Sequence, residues 1–172
     1  MFVNLSDVLT SEGMQLKKEI PLEMNVFECR GERFEITGRT PVSLVITNAG
    51  PGRAKIEGGM ELTLQAGCDR CLTEVPVELK LEFDRVALMP GGKPTEAEDE
   101  VALTEGYQLD TEAFVRNEIL INWPVKILCR EDCKGICPVC GQNLNMRDCG
   151  CDTFVPDPRM AVIQDIFKNK EV

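Results

Sequence analysis

The chain has 172 residues, 43% of them hydrophobic, with a formal net charge of −10 and no histidine. That length suits one domain with an appendage or two small domains, and no run of about 18 apolar residues argues for a membrane-spanning helix. The acidic balance excludes a chain whose whole surface neutralises phosphate, and the missing histidine removes the commonest general base.

The start, Met1-Phe2-Val3-Asn4-Leu5-Ser6-Asp7, lacks a basic stretch followed by an apolar core, so no secretory signal is expected and the predicted location is cytoplasmic. Structural disulfides are rare in that reducing pool, so the nine cysteines call for metal instead. The charge is uneven. Residues 61–100 carry four Lys and Arg against ten Asp and Glu, while residues 126–172 carry seven of each. A basic protein partner fits the acidic middle; plain solubility would also explain it.

In chain order, residues 5–9 are read as one helical turn and Gln15 to Met24 as a strand. Strand signals dominate from Arg33 to Met89. Phe34 to Thr37 and Val42 to Thr47 are β-rich runs, and Asn48-Ala49-Gly50-Pro51-Gly52 is a turn signal. Lys55 to Ala66 alternates through Ile56, Met60, Leu62 and Leu64, with Gly58-Gly59 as a bulge or bend. Val75 to Phe83 alternates as a half-buried antiparallel strand does. Pro90 to Glu100 reads as a Gly-, Pro- and acid-rich linker. A helix follows, with Asp110 or Thr111 as N-cap. Phe114, Val115, Ile119 and Leu120 supply its apolar contacts, continued by Ile121 to Trp123, and Pro124 ends it. Asp157-Pro158 opens a last amphipathic helix with Met160, Ile163, Ile166 and Phe167 on one face.

The fold class read from this pattern is α+β: an antiparallel sheet, for which barrel-like closure is one form, then a helix, a cysteine-rich segment and a C-terminal helix. The expected organisation is a β-rich domain at 1–89, an acidic linker at 90–104, and a helical and cysteine-rich region at 105–172.

Eight cysteines fall into close pairs. Cys68-Asp69-Arg70-Cys71 is a C-x-x-C pair at the junction of two strands. Cys129 and Cys133 are separated by three residues, Cys137-Pro138-Val139-Cys140-Gly141 is a zinc-knuckle sequence, and Cys149-Gly150-Cys151 adds two thiols. Zinc takes four ligands in a tetrahedron and thiolates suit it. Without histidine, a zinc site here needs four cysteines or a carboxylate. Short-range geometry favours Cys137, Cys140, Cys149 and Cys151 as one site, leaving Cys68, Cys71, Cys129 and Cys133 as a second. The rival is a single site of Cys129, Cys133, Cys137 and Cys140. An iron–sulfur cluster and redox chemistry at Cys68/Cys71 remain alternatives. Cys29 is left over as a buried thiol. Four thiolates leave no open position for catalysis, and Gly91-Gly92-Lys93 lacks the rest of a P-loop, so no enzyme is expected.

Several features together carry a family resemblance. They are the Cys-x-Arg-Cys pair after a long β-region, the acidic linker, and Asn117-Glu118 to Trp123-Pro124. The run Cys129 to Asn145, then Cys149-Gly150-Cys151 and Asp157-Pro158-Arg159, complete them. The sequence resembles the YceD family, the bacterial and plastid group named for accumulation of large-subunit ribosomal RNA, over essentially the whole chain. The resemblance implies a ribosome-biogenesis role, with the cysteines as metal ligands and no catalytic residues. The expected partners are ribosomal RNA or a basic ribosomal protein, with no membrane. Lys126, Arg130, Lys134 and Arg147 near the cysteines are the candidate positive patch for RNA. A thiol-redox or metal-sensing protein, and an interaction module without RNA contact, are the alternatives.

Overall fold

The computed structural model describes residues 1–10, 13–90 and 104–152. The last amphipathic helix predicted from Asp157 lies outside them, as does nearly all of the acidic linker.

The described residues form nine strands and one α-helix: β1 (Phe2–Asn4), β2 (Gln15–Ile20), β3 (Val26–Cys29), β4 (Glu32–Arg39), β5 (Val42–Asn48), β6 (Arg53–Gly67), β7 (Glu74–Leu88), β8 (Thr104–Glu105), β9 (Gln108–Asp110) and α1 (Thr111–Ile121). A 3-10 turn at Val8–Thr10 stands in the region read as a helical turn.

The main sheet is antiparallel throughout, in the order β2-β5-β6-β4-β3 with β7 also on β6, and prolines mark its breaks. β2 stops at Ile20, before Pro21, and β4 gives way to β5 across Thr40 and Pro41. Proline has no N–H to give to a ladder, so each break falls where the hydrogen bonding would fail. Across the first gap, Arg39 donates to the Met24 carbonyl and, at 2.8 Å, to Asn25 Oδ1. β5 pairs with β6 from Ser43/Gly59 to Asn48/Ala54, and β4 pairs with the other half of the same edge, from Glu35/Gln65 to Arg39/Leu62. β7 runs along the opposite edge for the full length of β6, Arg53/Leu88 to Gly67/Glu74. Among the described residues the strand order leaves this sheet open, which corrects the barrel-like form. β7 has β6 as its neighbour, and no further strand joins it to β2 or β3 to complete a ring.

The inward alternation on β6 is Ala54, Ile56, Met60, Leu62, Leu64 and Ala66, all buried. Gly58 occupies the missing beat in that series. A Cβ there would collide with the Ser43 carbonyl and sit 3.0 Å from the Phe83 ring, so only glycine lets β5 and β7 close on both sides of β6.

A second sheet, β1–β9–β8, brings the chain start beside the helix that follows β9. Asp110 is the N-cap of α1, accepting from the N–H groups of Glu112 and Ala113 at 3.0 and 3.2 Å. Phe114, Val115 and Ile119 are buried as the periodicity requires, and Phe114 meets Phe83 edge-on at 5.0 Å. Leu120 and Ile121, expected as apolar contacts, are exposed, while Glu118, beside the buried Ile119, is fully buried. Trp123, just past the helix, stacks on Phe34 at 4.7 Å and Phe27 at 5.4 Å.

The chain divides into two compact units. The first is residues 1–67 and 74–127; the second is 68–73 and 128–172. Helix α1 thus groups with the sheet, whose core it helps to fill, and not with the cysteine segment as the 105–172 division had it. The β6–β7 hairpin loop groups with the cysteine segment. No helix of the described residues is long and apolar enough to cross a membrane.

Candidate metal centre

Eight cysteines gather in the second unit as two sets of four, and in each set the sulfurs lie within 4.8 Å of one another. The hairpin set is Cys68, Cys71, Cys129 and Cys133; the knuckle set is Cys137, Cys140, Cys149 and Cys151. Sequence spacing gave the same division, and the rival set of Cys129, Cys133, Cys137 and Cys140 does not come together. Cys29 lies apart, half-buried on β3 against the core of the first unit.

The loop 68–73 presents two thiols because it is tightly closed. Cys68 N–H donates to the Thr73 carbonyl at 2.8 Å, and Leu72 N–H donates to the Cys68 carbonyl at 2.9 Å. Leu72 adopts φ 59°, a left-handed conformation rare for a branched residue, to make the turn. Opposite, the Arg70 guanidinium donates to the Cys133 carbonyl at 2.7 Å and fixes the two halves of the set. The sulfurs of Cys68 and Cys133 stand 3.8 Å apart, those of Cys71 and Cys129 3.6 Å. All nine thiols are free. Four thiolates about one ion at metal–sulfur bonds of about 2.3 Å have sulfur–sulfur edges of roughly 3.8 Å, so the hairpin set fits a tetrahedral ion.

The knuckle is a small hairpin. Cys137 N–H donates to the Gln142 carbonyl at 2.8 Å, Gly141 N–H to the Cys137 carbonyl at 2.9 Å, and Ile136 bridges to Asn143. Gly141, at φ 72°, takes the left-handed position that this reversal needs. The sets differ in exposure: Cys68, Cys71 and Cys133 are buried and Cys129 half-buried, whereas in the knuckle Cys137 is buried, Cys149 and Cys151 half-buried and Cys140 exposed.

Ionisation within each set is uneven. Burial opposes the Cys68 thiolate, yet N–H groups of Arg70, Cys129 and Cys71 outweigh it and bring its pKa down to about 6. Hydrogen bonds from Thr73 lower Cys71. Burial, then the neighbouring Cys133 and Cys71, push Cys129 up to about 12. In the knuckle, N–H groups of Cys140 and Val139 lower Cys137 to about 7, and Cys140 and Cys149 push Cys151 up to about 12. Four thiols this close cannot all become anions without a cation among them, which is the electrostatic condition a metal ion relieves.

Sequence reasoning missed the polar residues around the thiols. Asn145 Nδ2 donates to Cys133 Sγ at 3.2 Å, and Thr73 Oγ1 lies 3.3 Å from Cys71 Sγ. Asn143 Oδ1 in turn accepts from the Asn145 backbone N–H at 2.9 Å. Two of the four cations of the candidate basic patch form exposed ion pairs. Arg130 pairs with Asp132 at 3.3 Å and Lys134 with Asp148 at 3.9 Å, while Arg147 donates to Gln142 at 3.2 Å.

The sequence profile of the family described as large ribosomal RNA subunit accumulation protein YceD matches residues 56–167, which take in both cysteine sets. The chain belongs to the YceD family. This YceD-family chain is similar to the chloroplastic large ribosomal RNA subunit accumulation protein YCED homolog 1 of Arabidopsis thaliana, 24% identical over 128 residues, 58% of this chain and 40% of that protein. It is also 32% identical over 79 residues to an uncharacterized protein of Mycobacterium leprae (45% of this chain, 36% of that one). An uncharacterized protein of Mycobacterium bovis is 30% identical over 76 residues, 43% of this chain and 37% of its own. The matches thus span about two fifths of the length of these curated relatives. No solved structure matches the chain significantly.

Proposed function

We propose that this YceD-family chain is a non-catalytic, zinc-binding accessory factor for accumulation of large-subunit ribosomal RNA in the cytoplasm, and that it acts by holding a ribosomal partner. The observation that carries the reading is the pair of complete four-cysteine sets within the span that matches the family. Zinc is the ion best suited to closed all-thiolate tetrahedra, in which it is structural. Each set supplies four sulfurs, so a bound ion keeps no position for substrate, and the chain has no histidine to act as base.

Charge supports a basic ribosomal protein over bare RNA as the direct partner. The net charge is −10, and two of the cations beside the cysteines, Arg130 and Lys134, are paired with acids. A protein that gripped RNA through phosphates would instead lose affinity steeply as salt rises.

Elemental analysis of chain purified without added metal or chelator tests the cofactor, with two zinc ions per chain expected; iron with visible absorption would replace the zinc reading by a cluster. Affinity capture from ribosome-containing extract, repeated across a salt series, tests the partner. Recovery of a basic large-subunit protein that survives nuclease treatment is expected. Capture lost on nuclease treatment would move the contact to RNA, and capture of neither would sink the ribosomal role. Alkylation of Cys68 or Cys71 in metal-loaded chain would favour the thiol-redox alternative.

A further inference from the structure

Asn145 lies in the segment closed at its two ends by Cys140 and Cys149 of the knuckle set, yet its side chain reaches the other set. Its Nδ2 donates to Cys133 Sγ at 3.2 Å. Its Oδ1 accepts from the Lys134 backbone N–H at 2.8 Å and from the Arg130 guanidinium at 2.9 Å. Both of those partners are obligate donors, so the amide cannot be turned the other way round, and the NH2 must face the sulfur. Asn143 braces it further: one carboxamide oxygen accepts from both the Asn145 backbone N–H, at 2.9 Å, and Nδ2, at 3.0 Å. Lys134 follows Cys133 directly in the chain, so the two bonds from Asn145 hold that thiol from the side chain and from the backbone at once.

An all-thiolate ion site carries net negative charge, and N–H donors to sulfur delocalise it. Such outer partners orient the ligand and retain the ion. The backbone of the hairpin set supplies donors to Cys68. The side-chain donor to Cys133 comes from the loop that the knuckle set closes.

We propose that Asn145 is a positioning residue that couples the two sets: an ordered knuckle places its amide on Cys133 and so slows metal loss from the hairpin set. This inference rests on the metal-binding reading above. The knuckle is ordered only when its thiolates are gathered, because a structural metal site and its local fold form together. Emptying the knuckle therefore withdraws a ligand-supporting bond from a set with which it shares no cysteine.

The test uses the full chain loaded with zinc and challenged with excess chelator, and the same chain loaded with cadmium for NMR. Asn145→Asp keeps the shape and the acceptor for Lys134 N–H and Arg130 but replaces the donor to sulfur with an anion. The expected result is metal loss from one site accelerated about 10- to 100-fold, and one of two cadmium resonances displaced while the other stays. Cys149→Ser should also speed loss from the hairpin set in the wild-type background, but add little in the Asn145→Asp background. Wild-type rates and resonances in Asn145→Asp, or full additivity of the two changes, would overturn the coupling. Asn145→Ala, which removes the side-chain amide, must agree in direction. A wild-type chain that binds no metal would instead defeat the reading beneath it.

Discussion

Glu118 of α1 is fully buried and meets Arg85 of β7 with both carboxylate oxygens, at 2.9 and 3.2 Å from the guanidinium. Arg85 is itself only 18% exposed, so the pair is largely shielded from water and the Glu118 carboxylate wholly so. A fork-to-fork pair of this kind fixes the rotation of the helix on the strand as well as its position. Removing Arg85 takes the guanidinium from a fully buried carboxylate, and removing Glu118 takes the counter-charge from a largely buried guanidinium. Glu118→Ala or Arg85→Ala is expected to cost about 3–5 kcal/mol in urea unfolding of the first unit. The double replacement Arg85→Met with Glu118→Leu should recover most of that loss. If both single variants unfold like wild type, the pair is not holding α1.

Gly58 sits where β6 has neighbours on both sides. Gly58→Ala puts a methyl group against the Ser43 carbonyl and the Phe83 ring, so β5 or β7 must move away. The expected loss is about 1–3 kcal/mol, the usual range for overpacking, with amide exchange accelerated at Ser43–Val45 and Glu82–Asp84. Gly50→Ala, where a Cβ would meet nothing within 4 Å but φ is 117°, should cost through backbone strain alone and leave those amides unchanged.

Some of this was legible in sequence because its cause is local. Val42–Asn48 and Glu74–Leu88 alternate in the structure as the residues alternate in the chain. Asp110 caps α1 because a short carboxylate ahead of an apolar period has two N–H groups within reach. The sulfurs gather in the sets favoured from the close pairs, the knuckle set by short spacing and the hairpin set as the remainder. Other features have causes distant in sequence. Glu118 looks like a solvent-facing helix residue until Arg85, 33 positions earlier, is placed beside it. The strands β1, β8 and β9 are two or three residues long, too short to show a period. Openness of the main sheet depends on what β7 pairs with, which alternation along β7 does not encode. Asn145 reads as an ordinary turn residue; only the fold brings Cys133 to its amide.

Chelation should separate the two units. The single tryptophan, Trp123, packs between Phe27 and Phe34 in the first unit, while all eight gathered thiols belong to the second. Withdrawing metal is expected to raise hydrogen exchange across 68–73 and 128–152, with tryptophan emission and its urea midpoint unchanged. Cys137→Ser with Cys140→Ser should loosen 135–152 in the same way and spare the sheet. A shift in tryptophan emission on chelation would mean that the sheet depends on the metal.

Chain loaded with metal should release it from the two sets at different rates. Cys68 has no exposed surface, and Cys71 and Cys133 are 6% and 3% exposed, so a chelator or alkylating agent reaches these three only when the hairpin loop opens, with the half-buried Cys129 the one thiol of the set open to direct attack. Cys140 is exposed and its two later partners half-buried, so attack on the knuckle needs no comparable opening. Chelator-driven release is therefore expected in two phases of equal amplitude. Mass mapping after a brief alkylation pulse during the fast phase should find label on Cys140, Cys149 and Cys151 before Cys68 or Cys133. The slow phase should accelerate with mild denaturant, because it is limited by local opening, while the fast phase stays nearly constant. A single phase, or label appearing on all eight thiols together, would show that the sets open as one unit, and burial would then have no part in which ion leaves first.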